Sequence, residues 1–328
     1  MNQVKYIQTL FGQRETFQCL DVRDLNTIRA IPNPLFKPLG ICTHSELQKL
    51  KRKGFSSEIG SELMKRVEKL SHYFQPNTPI LLFDEVPQLM AQAIWQHFRP
   101  QHQVFIYKGG MKKLLLEAET VFSRHYDFMV LCGPTGVGKT DLLEELFKKN
   151  QQVLNLESLA NHQGSTFGNL RQENQAPQET FLLKLAAKLD SFDPKLPVFT
   201  ESEKLSLGKN IIPLGLSEQL EKGKMILLTL SNKKRVERLV SQYAGINDGV
   251  LAEGIETLKF RIGKEKSVEI LSHLKRKNYA SVAEGLLAYF DHSDSYQKPQ
   301  KKELFATLEN GNVQESADTL LSQIYSNY

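Results

Sequence analysis

The sequence predicts an α/β protein, two parallel-sheet domains in series, the second ending in a helical C-terminal region. Three observations carry that expectation. Short apolar runs alternate with helix-length amphipathic stretches through residues 1–120, the rhythm of parallel strands joined by helical crossovers. A glycine-rich octapeptide at 133–140 separates an apolar run from a stretch with leucines at helical spacing. Beyond Asp248 the pattern turns wholly helical. The division is expected near residue 125, giving domains of 1–125 and 126–328.

Composition agrees and excludes several classes. A chain of 328 residues can bury two separate cores, and 40% hydrophobic with 24% charged residues is ordinary for a globular protein. No apolar run approaches the roughly 20 residues that span a bilayer, and Met1-Asn2-Gln3-Val4-Lys5 lacks the apolar core of a secretion signal. Three cysteines, Cys19, Cys42 and Cys132, are too few and too scattered for a disulfide framework or a zinc site. A cytoplasmic protein without a membrane partner is therefore expected. The net charge of +5 is uneven: residues 1–120 hold 16 Lys+Arg against 11 Asp+Glu, residues 121–200 hold 8 against 9, and residues 201–328 hold 18 against 17. A basic surface attracts nucleic-acid phosphates. An excess this small equally describes a solvated face, so charge decides nothing.

The elements follow in order. Residues 17–23 read as a buried strand ending in a polar loop. Pro32, Pro34 and Pro38 exclude regular helix from 30 to 43. Ser45 with Gln48 has the spacing of a capping box and opens a helix to about Lys53; a second helix is expected over 57–73. Strands at 79–83 and 104–107 flank a helix at 88–98, and Gly109-Gly110 turns into a helix from Met111 to about Arg124. In the second domain, strands are expected at 128–132, 152–156, 197–199 and 225–230. Helices at 139–149, 178–189, 216–222 and 232–243 fall between or after them. The helical region ends over 281–290, and the polar stretch 291–302 reads as a surface tail.

Gly133-Pro134-Thr135-Gly136-Val137-Gly138-Lys139-Thr140 has the strand, glycine loop, helix order and full spacing of a phosphate-binding loop. Gly133, Gly136 and Gly138 let backbone amides turn inward around a phosphate, and the helix N-terminus adds positive potential. Lys139 would reach the outer phosphates, and the Thr140 hydroxyl would hold Mg²⁺. A phosphorylated ligand is expected.

The run after the second strand of this domain carries a resemblance. Asn155-Leu156-Glu157-Ser158-Leu159-Ala160-Asn161-His162-Gln163-Gly164-Ser165-Thr166-Phe167-Gly168 resembles a signature of the bacterial tRNA 2-selenouridine synthases, with Gln163 where the family has Arg. Gln175-Ala176-Pro177-Gln178-Glu179-Thr180-Phe181, Glu201-Ser202 with Gly208 and Pro213, Arg235-Val236-Glu237-Arg238-Leu239, and Leu286–Asp291 with Tyr296 resemble further family segments in the same order. Together these span most of 128–296. That family joins an N-terminal rhodanese-like domain to a C-terminal P-loop NTPase-like domain. Leu20-Asp21-Val22-Arg23 resembles the rhodanese opening, whose Asp and Arg order nearby loops, and Gly109-Gly110-Met111-Lys112 resembles its close. The chain departs from the family where a nucleophilic cysteine should follow a strand in a Cys-x-Arg-Gly-Gly loop. Here Leu82-Phe83-Asp84-Glu85-Val86-Pro87-Gln88 offers two carboxylates and no thiol. A bound selenide or persulfide anion would be repelled there. Of the remaining thiols, Cys42 lies before a helix N-terminus that would favour a thiolate, but a plain loop cysteine is the commoner outcome.

The resemblance implies a transferase acting on the wobble 2-thiouridine of tRNA, through a geranylated intermediate and selenium from selenophosphate. The missing cysteine implies an impaired selenium-transfer step. The loop's ligand would be ATP or GTP, or geranyl diphosphate, with Mg²⁺. Glu157 would order a metal-bound water or substrate hydroxyl, or be a plain helix N-terminal charge. His162 and Ser165 share its polar loop. Glu201, with Glu203 as rival, would position the metal. Arg235 and Arg238 would clamp phosphates, or be solvated helix charge. Two alternatives stay open: a P-loop small-molecule kinase or NTPase on a scaffold domain, and a non-catalytic binding module.

Overall fold

The computed structural model describes residues 5–162, 175–201, 206–243, 247–292 and 304–326. The chain divides into two compact units. One contains the described residues through Arg124 together with Ala176–Ser191, and the other the described remainder.

In the first unit β1 (Tyr6–Ile7), β2 (Gln18–Asp21), β3 (Lys37–Pro38), β4 (Ile80–Phe83) and β5 (Val104–Tyr107) form a five-stranded sheet. Its order is β1-β5-β4-β2-β3, and every pairing is parallel. All four residues of β4 are buried, as an interior parallel strand covered on both faces requires. Helices α1 (Leu25–Ala30), α2 (His44–Lys53), α3 (Glu58–Glu68), α4 (Leu89–Phe98) and α5 (Gly110–Phe122) alternate with the strands. Leu20, Leu50, Leu63, Leu82, Ile94 and Ile106 meet in one apolar cluster.

The start of α2 differs from expectation. Its capping box is Thr43 with Glu46, not Ser45 with Gln48: the Thr43 hydroxyl accepts from the Glu46 amide at 3.3 Å, and the Glu46 carboxylate accepts from the Thr43 amide at 2.7 Å. Glu46 is charged and is itself held by Arg66 at 2.9 Å, an anchorage Gln48 cannot match. The second expected helix stops as α-helix at Glu68 and tightens into a 3-10 turn over Lys69–Tyr73.

A helix from later in the chain, α8 (Gln178–Asp190), belongs to this unit rather than standing among the strands of the second sheet. It packs against α5 and buries Phe181, Leu185 and Ala186. Polar bonds fix both its ends: Thr180 donates to the Pro32 carbonyl at 2.7 Å, and the Asp190 carboxylate takes the Gly12 amide at 2.8 Å and Arg124 at 2.6 Å.

The second unit is built on β6 (Phe128–Cys132), α6 (Lys139–Lys148), β7 (Gln152–Leu154), α7 (Leu156–Leu159), β8 (Val198–Glu201), α9 (Leu214–Lys222) and β11 (Lys224–Thr229). A small antiparallel hairpin, β9 (Ser206–Leu207) with β10 (Asn210–Ile211), follows β8. Four helices follow β11: α10 (Asn232–Tyr243), α11 (Asp248–Ile262), α12 (Lys264–Lys275) and α13 (Tyr279–His292) share a second core through Leu239, Ile255, Ile270 and Leu286.

The chain does not end in helices alone. A strand, β12 (Leu304–Glu309), returns to the sheet and pairs in parallel with β11, and α14 (Val313–Tyr325) packs against α6. The sheet order is β12-β11-β6-β8-β7, with all pairings parallel. From β6 the chain first builds one side and then crosses to the other, so β6 marks the point where strand order reverses. Ligands of open parallel sheets bind at the carboxyl ends of strands flanking such a point. Among the described residues no helix is long and apolar enough to cross a membrane.

Candidate phosphate-binding site

The glycine loop leaves the carboxyl end of β6 at this reversal and runs into α6, as the sequence predicts. Gly133, Gly136 and Gly138 all have positive φ (151°, 78° and 85°). At Gly133 the requirement is spatial as well as conformational, since a Cβ there would lie 2.6 Å from the Leu228 carbonyl oxygen of β11. Backbone cannot yield as a side chain can. Gly133→Ala is expected to destabilise the protein by more than about 2 kcal/mol. Thermal unfolding checks this, and a variant as stable as the parent would contradict the close approach.

The outward face of the loop is held at four consecutive carbonyls. Arg235 Nε donates to the Thr135 oxygen at 2.8 Å and Arg238 Nη1 to the Gly136 oxygen at 3.5 Å. The Asn310 amide nitrogen donates to the Val137 and Gly138 oxygens at 2.9 and 3.1 Å. In a planar trans peptide the carbonyl and the following amide point in opposite directions. Pinning the carbonyls of 135–138 on one side therefore turns the amides of Gly136, Gly138 and Lys139 to the other, the arrangement that binds a phosphate, while the Val137 amide is taken by the Pro134 carbonyl at 3.2 Å.

Both arginines thus meet the loop's own backbone, not the side its amides face. Each is also matched by a carboxylate. Arg235, buried, makes two bonds to Asp291 at the end of α13 (2.9 and 2.7 Å), and Arg238 lies 3.3 Å from Asp141. As placed here, both arginines brace the loop from its carbonyl side. Asn310, fully buried just beyond β12, was invisible to the sequence reading because that strand was. Its partners lie 173 and 172 residues earlier.

Lys139 Nζ donates to the Gly133 carbonyl at 3.1 Å, which brings its ammonium back across the loop. Thr140 Oγ1 donates to Glu201 Oε1 at 2.9 Å. Glu201 closes β8, the strand paired directly with β6, and is buried. Burial pushes its carboxyl above the usual range, against the pull of Lys139 and of the Thr140 hydrogen bond, while Asp141 adds to the rise. A hydroxyl and a buried carboxylate at neighbouring strand ends form an oxygen donor pair of the kind hard divalent cations take. The residues therefore fit Mg²⁺ at Thr140 and Glu201. Among the described residues no group of three or more His, Cys, Asp or Glu gathers as a metal cage.

Glu157 and His162 lie elsewhere. The strand expected over 152–156 ends at Leu154, so Glu157 falls in the first turn of α7, capped by Asn155, and β8 stands between its strand and β6. The His162 amide donates to the Glu157 carbonyl at 2.9 Å. Ser165, Glu203 and Tyr296 lie outside the described residues, as does the stretch 293–303.

In the first unit, the strand end that lacks a cysteine has its own order. Asp84 follows β4, and its carboxylate accepts from the amides of Glu85 (2.8 Å), Met90 (3.0 Å) and Ala91 (3.1 Å), the last two at the start of α4. Burial pushes this carboxyl up to about 7 against those three amides, with Glu85 adding to the rise. The Glu85 carboxylate in turn accepts from the Met111 amide at 3.3 Å, at the start of α5. Arg23, only 2% exposed, is locked to Asp21 at 2.9 and 2.7 Å and donates to the Ile31 carbonyl at 2.8 Å. No cysteine supplies a ready thiolate: burial pushes Cys19 up to about 11 and Cys42 up to about 12, and raises Cys132. Around Cys42 the carboxylates of Asp24, Asp84 and Glu46 add to the rise and outweigh Arg66.

The second unit is thus a doubly wound α/β domain with a glycine loop at its switch point. Residues 126–276 match the family model described as the tRNA 2-selenouridine synthase AAA domain. Among curated relatives, a tRNA 2-selenouridine synthase of Verminephrobacter eiseniae is 35% identical over 140 residues, covering 41% of this chain and 37% of the relative. One of Nitrosomonas europaea is 31% identical over 140 residues (41% and 36%). One of Pseudomonas putida is 30% identical over 232 residues, covering 60% of this chain and 61% of that protein. The matches therefore span from about a third to three fifths of the relatives' own length.

Proposed function

We propose that this chain acts on tRNA, in modification of the wobble uridine, with its glycine loop holding the magnesium complex of a nucleoside triphosphate or a prenyl diphosphate. The observation that carries this is the Thr140–Glu201 pair beside inward-turned amides, within the stretch similar to the synthase domain. The names of the relatives support the tRNA substrate. Mg²⁺ at Thr140 and Glu201 would neutralise charge on the pyrophosphate. Lys139 would bind its outer oxygens, and the amides of Gly136, Gly138 and Lys139 the inner ones. Glu157, His162 and Ser165 are kept as candidates for contacts to the acceptor.

The working domains are 1–125 and 126–328, with α8 of the latter counted in the first compact unit, and the first is read as rhodanese-like on its Asp21–Arg23 pair and parallel sheet. With Asp84 and Glu85 spending their acceptors on the helix-start amides, that strand end offers a chalcogen anion no thiol, and the thiols of Cys19 and Cys42 are held protonated by burial. Selenium transfer is accordingly impaired.

Mass spectrometry of nucleosides in tRNA, from cells with and without the gene, tests the proposal. A wobble-uridine derivative should disappear with the protein. Unchanged profiles would favour a small-molecule kinase, and efficient selenouridine synthesis by the purified chain from selenophosphate and thiolated tRNA would overturn the impairment of selenium transfer.

A further inference from the structure

Arg235 faces two ways, and its second partner lies outside the loop. Its Nε holds the Thr135 carbonyl at 2.8 Å, while Nη1 and Nη2 make a two-point pair with Asp291 at 2.9 and 2.7 Å. Asp291 is 56 residues further along, in the last turn of α13, a helix whose apolar face packs on α10. The Arg235 side chain is 7% exposed and that of Asp291 35%, so the guanidinium is largely cut off from water and its charge is balanced chiefly by this carboxylate. A bidentate pair fixes the plane of a guanidinium as well as its position. The plane in turn fixes where Nε points. Rotation of that group would release the Thr135 oxygen, and with it the peptide whose amide, at Gly136, faces the phosphate side.

We infer that Asp291 is a positioning residue for the phosphate loop, acting through Arg235. The end of the helical bundle sets the aim of the first inward amide. This rests on the phosphate-binding reading of the loop and extends it to a residue with no ligand contact of its own.

The test is calorimetric titration of magnesium pyrophosphate into the full chain, for the parent and for Asp291→Ala, Asp291→Glu, Arg235→Met and the Arg235→Met/Asp291→Ala pair. Measurements run well below each protein's unfolding midpoint, with circular dichroism confirming the fold. Asp291→Ala should weaken binding by about tenfold or more, and Asp291→Glu should recover it to within about threefold. The double variant should bind no worse than Arg235→Met alone, because the two residues act in series. A purely structural role would lower the midpoint in both single variants and leave the affinity of the folded protein unchanged. If Asp291→Ala proves too unstable, Asp291→Asn keeps the volume and one acceptor and should show an intermediate loss. Parent-like affinity in folded Asp291→Ala or Asp291→Asn, with the parent binding normally, would overturn the positioning role alone. A parent that takes up no pyrophosphate would overturn the phosphate-binding reading and this inference together.

Discussion

Lys139→Ala is expected to weaken binding of magnesium pyrophosphate by at least about 100-fold, or about 2.8 kcal/mol, with little change in stability. The reason is geometric. The ammonium already sits 3.1 Å from the Gly133 carbonyl, inside the loop, while the flanking arginines are spent on backbone and carboxylates. Lys139 is thus, among the described residues of the loop and its braces, the cation left to meet a pyrophosphate, and a charge-assisted contact contributes about 1.5–3 kcal/mol. Alanine at 139 leaves the brace formed by Arg235, Arg238 and Asn310 in place, so the loop itself should persist. Calorimetry gives the affinity and thermal unfolding the stability. An affinity loss below about threefold would mean that the lysine does not reach the ligand.

The second large effect is on stability in the first unit and follows from Asp84. Its carboxyl has an unfolded value near 3.8 and a folded value of about 7. Between those values the folded protein keeps a proton that the unfolded chain has released. The contribution of this carboxyl to stability is therefore fully present below about pH 4, is lost as pH rises towards about 7, and stays lost above that. A displacement of that size sets the loss on the order of 4 kcal/mol. Trp95, the sole tryptophan, lies on α4 within the same unit, so its fluorescence reports this unfolding selectively. Denaturant titrations at pH 5 and pH 8 should show the parent losing stability between the two, and Asp84→Asn losing distinctly less. Parallel pH dependences would show that the carboxyl titrates at its ordinary value.

Much of the architecture was legible in the residues. The glycine loop carries its conformation in its spacing, and the three positive φ angles fall on glycines that the octapeptide displays openly. Glu201 is legible as the residue closing a strand beside the glycine loop, where the structure bonds it to Thr140. The misses have a common physical cause: they are contacts between residues far apart in sequence. Helical spacing put Arg235 and Arg238 on one face of α10, but periodicity cannot say which side of the loop that face meets. Leu304–Glu309 follows a polar stretch and has little to mark it, so β12 went unseen and Asn310 with it. The signal available was the Asn310-Gly311-Asn312 turn closing an apolar alternation. Asp84 was read as a charge that repels anions. Its place at the start of α4, where it occupies the amides an anion would use, depends on how β4 delivers it to that helix.

The central claim is that a braced glycine loop and the Thr140–Glu201 pair form a working site for a magnesium-bound pyrophosphate group. Titration of pyrophosphate into the unaltered chain, with magnesium and again with EDTA, tests it most directly. Saturable one-to-one binding that weakens at least about tenfold when magnesium is removed is the predicted result. No binding in either condition, or equal binding in both, would contradict it.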